Sequence, residues 1–196
     1  LFTIFILFFL ASKTYSIDFK ELETKNISFW FVEDNSVPIV SISFTIFGGS
    51  SLDPAGKDGL TNLMVSLMDE GTERYSGTKL RELMKLNGVK LRLSAQKNKI
   101  DGTFQVISTQ LKEGFEILDQ ILNYPKFLDE EISKVKKQIY ASLKIDESDI
   151  STLANYKFNE IFFENHRFSK RIKGSEKSLK NISRVDLINH HKSLFT

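Results

Sequence analysis

Cysteine is absent from the 196 residues, and proline and histidine occur three times each. Without cysteine no disulfide framework can form, so the folded chain must be held by its core alone. Charge of one sign is lacking too: 27 lysines and arginines face 25 acidic residues, a formal net charge of +2. No basic stripe interleaved with aromatics stands out, which argues against a nucleic-acid surface. Low-complexity tracts are missing, as is any apolar run long enough to cross a bilayer. What the chain has in quantity is apolar mass, 41% of residues, with 17 phenylalanines. That suits one globular domain with a real core.

The first residues, "LFTIFILFFLASKTYS", set the compartment. The apolar run over residues 1–11, interrupted only by Thr3, is too short to span a membrane but has the length of a signal-peptide h-region. Thr14 and Ser16 offer a small-residue cleavage site before Ile17. The charged n-region is missing and the chain begins at Leu, as a truncated gene product would. A buried N-terminal strand is the alternative. The expectation is therefore an exported chain, in a bacterial periplasm or similar space, with a signal peptide over 1–16. A single domain over 17–196, cut short at its C-terminal end, would carry no stable membrane span once mature.

"NISFWFVEDNSVPIVSISFTIFGGS" predicts a strand over 27–33, a turn over 33–36 and a second strand over 39–47. In the latter Val40, Ile42, Phe44 and Ile46 alternate with Ser41, Ser43 and Thr45, the period of a half-buried strand. The Gly-, Ser- and Asp-rich "GGSSLDPAGKDG" is a loop. "KDGLTNLMVSLMDEGT", residues 57–72, then reads as one amphipathic helix burying Leu60, Leu63, Met64, Leu67 and Met68, with Gly71 as its cap. A helix from Ser76 or Thr78 to Asn87–Gly88 buries Leu80, Leu83 and Met84. "VKLRLSAQKNKIDGTFQVIS" is a hairpin. Helices follow over 111–123, with Phe115, Leu118, Ile121 and Leu122 on one face, over 129–143 and over 151–163. A last helix starts at Ser183, with Asp186 completing an acidic capping box. Interspersed strands and helices without a repeat predict an α+β fold, a largely antiparallel sheet covered by helices.

The order of these parts is distinctive: an alternating strand, the Gly49–Ser50 pair, a helix framed by Gly59–Leu60 and Gly71–Thr72, a second helix, a hairpin and long helices. The tail "FFENHRFSKRIKGSEKSLKNISRVDLINHHKSLF" supplies a His-containing loop and a Gly-containing turn. Over residues 20–196 the chain resembles the N-terminal domain of the pitrilysin/insulinase-type (M16, inverzincin) zinc metallopeptidases, the family that includes the mitochondrial processing peptidase subunits. In catalytic members the framed helix looks like G-L-A-H-x-x-E-H-x-x-x-x-G-T. Its two His, one turn apart, aim at one metal, and the Glu between them is the general base.

At those positions this chain carries Asn62, Val65 and Ser66. An amide and an alcohol are poor zinc ligands, and Val65 cannot take a proton from water. The family's third ligand and assisting Glu, laid on "VKKQIYASLK", fall at Ser142 and Val135. The resemblance thus implies a zinc-peptidase-like subunit without the H-x-x-E-H site. It would bind no cofactor, zinc being confined to a homologous catalytic partner. Together the two subunits would form a chamber for peptides or unfolded protein. Alternatives are a zinc peptidase using other ligands, a scaffold subunit of a larger respiratory-type complex, and an unrelated exported α+β protein.

No other constellation competes. His190 and His191 are adjacent on one helix, so their side chains diverge by about 100° and cannot chelate one ion as a pair; a solvated helix face is expected for them. His166 reads as a loop residue with a local hydrogen bond. No serine sits in a nucleophile elbow, and "GGSS" lacks the Gly-Lys-Ser/Thr of a phosphate loop. "DEEISKVKKQIY" pairs acids with bases four residues on along a helix surface.

Overall fold

The computed structural model describes residues 19–25 and 27–195. The signal-like segment 1–16 lies outside the described residues. Two compact units are distinguished, one ending at Pro38 and the other beginning at Ile39. In the first, β1 (Lys20–Glu23) pairs antiparallel with β2 (Ser28–Phe31), placing Lys20 opposite Phe31. Strand β2 falls inside the expected 27–33. Every residue of β1 and β2 is exposed, so β1 carries no inside-outside alternation by which the sequence could have revealed it.

The second unit is built on a three-stranded antiparallel sheet in the order β3-β5-β4, formed by β3 (Ile39–Phe47), β4 (Lys90–Ala95) and β5 (Lys99–Ile107). Its register puts Val40 opposite Val106, Ile42 opposite Phe104, Phe44 opposite Gly102 and Ile46 opposite Ile100. Because side chains alternate, these pairs line one face with Leu91, Leu93 and Ala95 of β4, while Ser41, Ser43, Thr45, Thr103 and Gln105 face solvent. Gly102 has a steric role: a Cβ there would stand 2.2 Å from the Phe44 ring, which crosses over it.

The inner sheet face is covered by helices. Among the described residues the helices of this unit are α1 (Leu60–Val65), α2 (Gly77–Leu86), α3 (Leu111–Asn123), α4 (Asp129–Ser148), α5 (Ile150–Phe163), α6 (Glu176–Lys180) and α7 (Arg184–Leu194), of which α1 packs on β4 and α3 on β5. The core joins Leu60, Leu63, Met64, Leu67 and Met68 to Ile100, Phe104, Val106, Ile121 and Leu187. Each such side chain contributes about 1.5–3 kcal/mol on burial. Helix α2 is capped by Ser76, which accepts from Lys79 N, and Ser183 and Asp186 form the reciprocal box expected at the start of α7. Phe115, expected on the buried face of α3, is 43% exposed, although its ring lies 5.7 Å from Phe104. The architecture is α+β with antiparallel pairing, as the sequence pattern implied.

One element is shorter than its periodicity suggests. Regular α-helix stops at Val65, and the chain continues through tight turns in which Leu67 N donates to Met64 O and Glu70 N to Leu67 O. Ser66 causes a local competition: both its N–H (3.0 Å) and its hydroxyl (2.8 Å) donate to Asn62 O. The tighter turns still carry Leu67 and Met68 inward, so the buried stripe survives although the helix does not.

Candidate functional site

The start of α1 is fixed by a buried carboxylate. Asp53, in the loop after β3, accepts from Gly59 N (2.8 Å), Thr61 N (2.9 Å) and Thr61 Oγ1 (2.6 Å). It therefore satisfies donors that the first turn of a helix leaves open. Burial pushes the Asp53 carboxyl above its ordinary pKa against the pull of these bonds. Glu70, at the other end of the segment, bonds Arg81 of α2 and Lys134 of α4, each at 3.0 Å. The segment 59–70 is thus held at both ends.

The face that the sequence grouped together is divided by the fold. Val65 is 5% exposed and belongs to the hydrophobic core, Asn62 is half-buried, and Ser66 is exposed with its hydroxyl spent on the Asn62 carbonyl. On α4, Val135 is buried and Ser142 is half-buried. Ser142 Oγ accepts from the Lys173 ammonium at 2.7 Å. A zinc site does not fit this donor set. It offers an amide, one hydroxyl turned to the backbone and another bonded to a cation, whereas zinc takes imidazole, thiolate or carboxylate. Val65 supplies neither a ligand nor a base. Among the described residues, no three His, Cys, Asp or Glu side chains gather in a metal-binding cluster.

Lys173 belongs to a network that the sequence did not reveal. Its ammonium also donates to both Asp146 oxygens at 2.8 Å, and Tyr156 O–H donates to Asp146 Oδ2 at 2.6 Å. The Arg171 guanidinium lies 4.4 Å from the centre of the Tyr156 ring. Burial alone would raise Asp146, but the Lys173 and Tyr156 bonds hold its carboxyl below the ordinary value. Burial and the same carboxylate push the Tyr156 phenol up to about 12. The partners are 27 residues apart for Lys173–Asp146 and 31 for Lys173–Ser142, so no local spacing announces them.

The expectation of a solvated face for His190 and His191 is overturned: they are 8% and 7% exposed. His190 Nε2 lies 2.8 Å from Thr61 Oγ1, and His191 Nε2 lies 2.8 Å from Leu122 O. A stripe was in fact present, since Leu187, His190, His191 and Leu194 follow the i, i+3, i+4, i+7 spacing of a buried face. Burial lowers both imidazole pKa values. Thr61, His190 and Asp53 are close together, yet they do not form a hydrolytic triad. The single hydroxyl proton of Thr61 goes to Asp53, so Nε2 is the donor and cannot act as the base toward that oxygen. Thr61 is also fully buried. His166 does make the expected local bond, its Nδ1 accepting from Phe168 N at 3.1 Å. Lys134 pairs with Glu131 on the surface of α4, at a spacing of three residues and not the expected four.

The frame of this site matches a known family. The chain belongs to the insulinase family, peptidase family M16, whose family model matches residues 30–176. It is 23% identical over 195 residues to the "Non-peptidase homolog YmxG" of Helicobacter pylori, an alignment covering 100% of this chain and 45% of that protein. The chain therefore spans about half the length of that curated relative. Its fold is that of a crystallised "peptidase M16 inactive domain" from Pseudomonas fluorescens. The TM-score is 0.82 at 18% identity, over 89% of this chain and 43% of that one.

Proposed function

We propose that this chain is a non-catalytic M16 subunit whose α1 face stands where a zinc peptidase carries its metal. One observation carries the proposal: positions 62, 65 and 66 hold an amide, an isopropyl group buried in the core and a hydroxyl where a zinc peptidase needs two imidazoles and a carboxylate. The names of the Helicobacter and Pseudomonas proteins agree with it. The chain contributes wall and binding surface to a chamber for peptides or unfolded protein, and a homologous catalytic subunit with an intact H-x-x-E-H contributes the zinc. The apolar run over 1–11 favours export, to a bacterial periplasm or a similar compartment.

Helix α5 supports a partner role. Ile150, Phe158, Ile161 and Phe162 lie along one face at helical spacing and are 84%, 58%, 67% and 68% exposed. Phe158 and Phe162 stack at 5.2 Å. Attachment is by the opposite face, through Tyr156 to Asp146 and through Phe163 to Phe168. A stripe of this kind offers on the order of 500 Å² of apolar surface, much of what one side of a standard interface buries. The homologous subunit is its occupant in this proposal.

The test is hydrolysis of an unfolded polypeptide by the purified chain, by a family member with an intact H-x-x-E-H motif from the same source, and by the two together. The chain alone is inert, and the mixture cleaves faster than the catalytic member alone. Chelator-sensitive cleavage by the chain alone overturns the proposal.

A further inference from the structure

We infer that Lys173 takes over the structural task of the missing metal, tying α4 to the start of α1 with a cation built into the chain. The inference rests on the placement of Asn62, Ser66 and Ser142 at ligand positions proposed above. A zinc ion bound there would bridge α1 and α4. Lys173 connects the same two helices by other means. Its side chain holds α4 through Ser142 Oγ (2.7 Å) and both oxygens of Asp146 (2.8 Å). Its backbone lies against the first turn of α1: a Cβ added at Gly59 would stand 2.6 Å from Lys173 O, and one added at Gly174 would stand 2.0 Å from Asp58 O. Ser178 Oγ donates to Asp58 O at 2.7 Å and closes the seam.

The chemistry of the exchange is coherent. A dication needs anionic or imidazole donors, whereas an ammonium is satisfied by a hydroxyl and one carboxylate. Ser142 is short enough to accept from that ammonium, and Asp146, one turn on, supplies the counter-charge. The pair is 34% and 13% exposed, so it keeps part of its Coulomb attraction rather than losing it to solvent. Tyr156 O–H occupies a further lone pair on Asp146 and fixes the carboxylate. A single residue thereby stabilises the helix pair and places positive charge at the third ligand position. A carboxylate restored at position 142 would meet Lys173 before it met a metal.

The experiment uses two sets of variants, one with the ligands restored and one otherwise natural. The triple variant Asn62→His, Ser66→His, Ser142→Glu restores the ligands and leaves buried Val65 untouched; it is compared with the same variant carrying Lys173→Met. Zinc alone is the probe, measured by equilibrium dialysis, with circular dichroism confirming the fold. The Lys173→Met form binds zinc about tenfold or more tighter than the form that keeps the lysine. Equal affinity in the two overturns the role of Lys173. Binding by neither overturns the placement of the ligand positions, and the inference with it. In the otherwise natural chain, Lys173→Met speeds amide exchange around 142–146 and at Gly59–Thr61, and Lys173→Arg largely restores protection. Unchanged exchange in Lys173→Met refutes the tie.

Discussion

Replacing Asp53 by alanine tests how the loop after β3 aims α1. The carboxylate is buried and accepts from Gly59 N, Thr61 N and Thr61 Oγ1. In the alanine variant the Thr61 hydroxyl keeps His190 as a partner, because a neutral imidazole can change tautomer and accept. The two backbone N–H groups have no such recourse. At about 1–3 kcal/mol for each buried donor left unpaired, the expected loss is about 3 kcal/mol. For a chain of this size that corresponds to a fall in Tm of roughly 6–12 °C. Asp53→Asn keeps one acceptor oxygen and sheds the desolvation cost that raises the Asp53 pKa, so it costs only about 1 kcal/mol. Urea unfolding followed by circular dichroism measures both, and hydrogen exchange locates the damage at residues 59–61. An alanine variant within 1 kcal/mol of wild type, or an asparagine variant as damaging as alanine, refutes the reasoning.

Two further outcomes follow from the buried groups. Both imidazoles have depressed pKa values, so the unfolded chain takes up protons first as pH falls below about 6.5. Stability contributed by neutral His190 and His191 is present above that pH and declines toward pH 5. Thermal melts show this as a lower Tm at pH 5.5 than at pH 7.5, with a shallower slope in the His190→Gln, His191→Gln double variant; equal slopes contradict it. Gly174→Ala costs about 3 kcal/mol or more, because φ is +72° and the new Cβ would strike the Asp58 carbonyl. At Gly56, φ is +77° with open space around it, so the same substitution costs about 1 kcal/mol of backbone strain. Chemical unfolding of the two variants compares them, and equal losses contradict the close packing at 174.

Much of the fold was legible because it is written in local spacing. Leu60, Leu63, Met64, Leu67 and Met68 are buried as their period required, and Ser76, Ser183 and Asp186 cap the helices they precede. The alternation in β3 correctly gave its inner face. What escaped is what long-range contacts decide. His190 meets Thr61 across 129 residues, and Lys173 meets Ser142 across 31. The stripe Leu187, His190, His191, Leu194 marks His190 for burial but does not name Thr61 as its partner, and nothing beside Lys173 names Ser142. The identities of two adjacent residues do not announce that Val65 turns to the core while Ser66 turns to water. The end of α1 was misplaced for a similar reason: the apolar stripe continues through turns that a periodicity alone does not separate from helix.

The most direct measurement is the zinc content of the purified natural chain after dialysis against zinc and removal of the unbound ion. The proposed function predicts no stoichiometric zinc. One tightly held zinc per chain, lost on Asn62→Ala, Ser66→Ala substitution, would contradict it.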